Sequence, residues 1–126
     1  MVGGFLCTDI EKISTDPAVV RWLKKSGYRI DVDAKLAHQD KGRFLDDLDE
    51  TLERRAEALF HFLGRESWDY FQCHIMETDR LQHFLWEEME TGDERYLGDA
   101  LGVYRKVDDI LGTIRSELPS MSSTFR

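Results

Sequence analysis

The run Trp68-Asp69-Tyr70-Phe71-Gln72-Cys73-His74-Ile75-Met76-Glu77-Thr78-Asp79-Arg80-Leu81-Gln82-His83 decides how the rest of the chain is read. Its first part, 68–76, is rich in aromatic side chains, carries no run of charge and has neither Gly nor Pro. Such a stretch predicts a buried strand. A helix is expected from near Thr78 to about Glu90, and another helix precedes the strand. A helix–strand–helix unit of this kind usually belongs to a parallel sheet.

Upstream, Phe44, Leu45, Leu48, Leu52, Ala56, Leu59, Phe60 and Leu63 recur every three or four residues, which predicts one long helix from about Lys41 to Gly64. Asp46, Asp47, Asp49, Glu50, Glu53, Arg54, Arg55 and Glu57 are expected on its solvated side. Before it, Asp16-Pro17 opens a helix, with Asp16 as cap and Pro17 at the first position, where a missing N–H costs nothing. Lys24-Lys25-Ser26-Gly27 closes that helix, because basic residues suit the negative end of the dipole and Gly suits a left-handed cap. Tyr28-Arg29-Ile30-Asp31-Val32 alternates and predicts a short strand. Residues 1–15 read as irregular, with an apolar patch at Phe5-Leu6-Cys7. Downstream, Tyr96, Leu97, Leu101, Tyr104, Val107, Leu111, Ile114 and Leu118 predict a helix over about Asp93–Glu117, ended by Pro119 and followed by a loose tail. The expected fold is α/β: one domain over 1–126, helix-rich, with a small, mostly parallel sheet.

The 126 residues suit one domain, and 41% hydrophobic content is enough to build a core. The formal charge of −8 repels phosphate backbones and argues against a nucleic-acid polymer as partner. No apolar run reaches the roughly 18–20 residues that span a bilayer, so no membrane is expected as partner. The first residues lack the basic leader and apolar run of a signal peptide. With only Cys7 and Cys73 present, a reducing, cytoplasmic setting is expected.

Asp79 falls where the expected strand gives way to a helix, the place where open α/β sheets bind ligands. His83 lies four residues on, so both side chains project from one helix face. A carboxylate and an imidazole at that spacing can share a divalent metal, and Zn²⁺ accepts both. By spacing alone the commoner arrangement is plainer, with Asp79 capping the helix and His83 packing against it. Glu57 and His61 have the same spacing within a helix and read as surface, His38 as a loop residue, and His74 as a core histidine on the strand. Trp68 and Trp86 are expected in the core.

The segments Trp68–Phe71 and Met76–Trp86 resemble the type I phosphodiesterase/nucleotide pyrophosphatase family of the alkaline phosphatase superfamily. Gly3-Gly4-Phe5-Leu6, Ser26-Gly27-Tyr28 and Tyr104-Arg105-Lys106-Val107-Asp108-Asp109-Ile110-Leu111 resemble flanking segments of the same family. The resemblance implies part of an alkaline-phosphatase-like three-layer fold and a metal-dependent phosphoester hydrolase. In that superfamily two metal ions, usually zinc, flank a Thr or Ser nucleophile, and the Asp-x-x-x-His element binds one of them. Residue by residue, that element gives Asp79 and His83 as metal ligands.

The chain departs from the family pattern. The nucleophile and first metal-binding Asp of the family would precede Gly3, and its Asp-His dipeptide and last His would follow Pro119. No Asp-His dipeptide is present, and neither Thr78 nor Ser67 matches a nucleophile motif. The expectation is an internal fragment of such an enzyme, inactive by itself, whose phosphoester substrate meets only the complete site. A strand 68–76 stripped of its neighbours would expose unpaired backbone, so a homo-oligomer or a complementing chain is expected. The alternative is a non-catalytic oligomeric helical module built on 41–64 and 93–117.

Overall fold

A computed structural model of the chain describes residues 1–3 and 7–118. Phe5 and Leu6 of the N-terminal apolar patch, and the tail from Pro119 onward, lie outside the described residues. Among the described residues five α-helices follow one another: α1 (Pro17–Ser26), α2 (Ala34–Gln39), α3 (Lys41–Leu63), α4 (Glu77–Thr91) and α5 (Leu97–Glu117). A 3₁₀ turn at Ile10–Lys12 precedes them.

The local chemistry at the helix ends is largely the one expected. The Asp16 carboxylate accepts from the Ala18 N–H at 2.8 Å, and Gly27 closes α1 at φ 72°, a left-handed conformation that suits glycine. Asp40 caps α3 by accepting from the Arg43 N–H. The short helix α2, capped by Asp33, replaces an expected loop; six residues are too few to show a period. Helix α5 begins at Leu97 rather than near Asp93, because Asp93 instead binds the N–H and side chain of Arg95 in a turn.

The α/β expectation is overturned. Among the described residues there is no strand and no sheet, only an isolated antiparallel bridge between Val2 and Ser14. The physical reason is that a strand needs a neighbour. Residues 66–75 share no backbone-to-backbone hydrogen bond with any described residue, although the Ile75 carbonyl accepts from the Thr78 hydroxyl at 3.5 Å, so the stretch remains a connection without a strand partner. Residues 28–32 bend at Ile30 and Asp31 and pair with no strand; the Tyr28 N–H instead donates back to the Leu23 carbonyl at 3.0 Å.

Helices supply the core. Phe44, Leu45, Leu48, Leu52 and Leu59 of α3 meet Leu81 and Leu85 of α4 and Ala100, Val103 and Ile110 of α5 in one cluster. Each fully buried Leu there contributes about 1.5–3 kcal/mol over leaving it exposed. A second cluster seats Val19, Val20 and Leu23 of α1, with Ile13, against Ala58 of α3. Helix α3 is therefore the central element. Trp86 departs from expectation: it is 58% exposed. Trp68 is half-buried and donates its indole N–H to the Phe62 carbonyl at 2.9 Å.

Candidate metal centre

Helix α4 starts at Glu77, and its N-cap, Met76, offers no side-chain cap. Glu77 and Asp79 stand in the first turn, where negative charge is favoured by the helix dipole. Asp79 therefore does not cap the helix. Its Oδ1 lies 3.5 Å from Nε2 of His83, one turn along the same face. Both side chains are open to solvent, at 64% and 66% exposure.

Arg80 flanks this pair. Its Nε and Nη2 donate to the two Asp31 oxygens at 3.1 and 2.6 Å, and its Nη1 lies 3.8 Å from Asp79 Oδ2. Asp31 is held below the usual carboxylate range: burial pushes it up, but the bonds from Arg80 and the Val32 N–H outweigh that. Arg80 is thus committed to Asp31, and its charge also faces Asp79.

Asp79 and His83 fit two positions around a divalent ion, by donor type and by placement. Among the described residues, no group of three His, Cys, Asp or Glu side chains is arranged to hold a metal. The pair forms two ligands of a site rather than a site.

The remaining histidines are elsewhere. His61 stacks on Trp22 with centroids 4.0 Å apart, half-buried rather than on the surface. Its neighbour Glu57 pairs with Arg54 instead. His38 lies on α2 and meets Phe84 edge-on. His74 is exposed, not in the core, because no sheet covers it.

Sequence reasoning missed a buried polar cluster beside the pair. Arg55, placed by pattern on the solvated face of α3, is only 7% exposed. Its Nε donates to both Glu77 oxygens, at 2.8 and 3.1 Å. Its Nη1 donates to the Tyr28 hydroxyl at 2.6 Å and its Nη2 to the Ile30 carbonyl at 2.9 Å. Burial pulls the guanidinium down, but Glu77 and Tyr28 outweigh it and keep the group charged. Burial pushes the Tyr28 phenol up. Burial does the same to the Cys73 thiol, although the residue as a whole is accessible. A thiol pushed up is a poor nucleophile. The signal for Arg55 was in the spacing: Leu48, Leu52, Arg55 and Leu59 continue one stripe.

A cleft of about 190 Å³ between α3 and α5 is lined by residues including Asp46, Asp49, Asp99 and Lys106. Lys106 already binds Asp49 and Glu53, at 2.6 and 2.7 Å. The cleft is smaller than the ~300–1,000 Å³ of ordinary ligand pockets.

Comparison with protein-family models, curated proteins and solved structures gives no match for this chain.

Proposed function

We propose that the chain is a segment of a metal-dependent phosphoester hydrolase of the phosphodiesterase/nucleotide pyrophosphatase type, contributing Asp79 and His83 as ligands to a divalent ion such as zinc. The observation that carries this reading is the approach of the carboxylate and imidazole to 3.5 Å on an open helix face. No buried packing role explains His83 there. The likeness of 68–86 to the family's ligand-bearing segment supports the same assignment. With no sheet among the described residues, Asp79 has no strand-end address, and the pair and the resemblance alone support the assignment.

A bound ion of this kind acts as a Lewis acid toward a phosphoryl oxygen. This chain's own contribution is to hold two donors. Glu77, tied to Arg55, fixes the first turn of α4, and Arg80, the residue after Asp79, is itself tied to Asp31. On this reading the nucleophile and remaining ligands are supplied by other polypeptide, and the chain alone is expected to hydrolyse no phosphoester.

A second reading, a non-catalytic helical interaction module, is favoured by one observation. Trp86 on α4 and Leu101, Tyr104 and Leu111 on α5 are exposed apolar side chains on adjoining helices, with Gln82 bonded to the Tyr104 hydroxyl between them. The flanking coding sequence separates the two. A Thr- or Ser-bearing nucleophile segment before it and an Asp-His segment after it support the hydrolase; unrelated flanks with clean stop codons support the module.

A further inference from the structure

Residues 86–99, which make up the end of α4, the turn at Gly92 and the start of α5, include none that is buried. Of their apolar side chains only Met89 and Tyr96 pack, partly buried, against the α3–α4–α5 core. Six of these residues are acidic and one, Arg95, is basic, so like charges repel within the segment. It begins at an interruption of the helix. Leu85 has φ −128° and ψ 15°, outside helical geometry, and α4 kinks there. Leu85 itself is fully buried, which fixes the near side of the kink to the core.

The polar contacts divide at the same place. Inside the segment Arg95 binds Asp93 and stands over the Tyr96 ring, and the Thr91 hydroxyl donates to the Glu87 carbonyl. Among the described residues one side-chain polar contact leaves it: the Lys41 ammonium donates to Glu88 Oε1. Lys41 is the first residue of α3, and Glu88 stands in the last turn of α4. Each charge sits at the unfavourable end of its own helix dipole, and the pair relieves both. Closure also buries Glu88 Oε2 with no hydrogen-bond partner, a group that water satisfies once the segment lifts. We infer that residues 86–99 open as one unit hinged at Leu85, and that the Lys41–Glu88 pair is the latch that keeps them closed. A segment with few buried apolar contacts opens locally at low cost, and a hinge needs only a few residues that absorb a change in φ and ψ. The device stands apart from metal binding, since Asp79 and His83 both precede the hinge.

Hydrogen exchange of the intact chain, read residue by residue by NMR, tests it. The amides of Gly92, Asp93 and Leu97 donate within the segment, to the Met89, Glu88 and Asp93 carbonyls, so their exchange reports its opening. Their opening constants should agree within about threefold and exceed those of Leu48, Leu81 and Ile110 at least about tenfold. Constants that scatter more widely, or that come closer to the core amides, overturn the single unit. Val20→Ala, in the α1–α3 cluster that the open form retains, should leave the three constants unchanged; a rise there would mean the segment opens only when the whole chain unfolds. Lys41→Ala should raise the three constants at least about threefold in the wild type, and less than about twofold in a Glu88→Ala background. A smaller rise in the wild type, or an equal one in both backgrounds, overturns the latch.

Discussion

The Arg55 guanidinium grips both carboxylate oxygens of Glu77, tying the middle of α3 to the first residue of α4 with almost no access to water. The same guanidinium holds Tyr28 and Ile30, so one side chain joins three segments that share no sheet. A buried ion pair of this kind gains little over an apolar pair of similar shape, but losing one partner strands the other charge. Arg55→Ala or Glu77→Ala is therefore expected to cost about 3–5 kcal/mol. Arg55→Met with Glu77→Leu should cost far less than either single change. Urea unfolding of the four proteins checks this; single variants within about 0.5 kcal/mol of wild type would show that the pair does not hold the fold.

The helical core makes a sharper contrast. Leu48 and Leu81 are fully buried, whereas Leu111 is 56% exposed. Leu48→Ala or Leu81→Ala should cost roughly 3–5 kcal/mol through lost contact and an incompletely closed cavity. Leu111→Ala should stay within about 0.5 kcal/mol. Equal losses at Leu48 and Leu111 in denaturant titrations would contradict the assigned core.

Acid stability has a definite sign. The Arg95 side chain and N–H bind Asp93 and pull its carboxyl down to about 2 from an ordinary 3.8. A carboxylate depressed in the folded state adds stability that is complete above about 3.8 and fades as pH falls toward 2. Asp93→Asn should therefore lower the thermal midpoint near neutral pH, with the gap to wild type closing by about pH 2. A gap that stays constant down to that pH would mean Arg95 does not favour the charged form.

The sequence disclosed the helices better than their arrangement. The stripe through Leu48, Leu52 and Leu59, the Asp16-Pro17 start and the Gly27 stop are local signals, and the structure obeys each. Residues 68–76 carry an equally clear local signal, yet they form no strand among the described residues. What local pattern cannot supply is the neighbour that turns an extended segment into a strand. Arg55 illustrates the converse error: its charge suggested solvent, while its place on the apolar stripe, opposite Glu77, put it inside. Asp79 and His83 meet on one face because a helical turn dictates it. Whatever else would surround an ion is not encoded in any spacing within these residues.

Metal binding at that face is the most direct test. Addition of Mn²⁺ should broaden the imidazole resonances of His83 in proton NMR far more than those of His38, His61 and His74. Zn²⁺ should compete the effect away, and Asp79→Ala should abolish the preference while leaving the helical spectrum unchanged. Broadening that is equal at all four histidines, or that persists at His83 without Asp79, would contradict a shared ion and with it the hydrolase assignment.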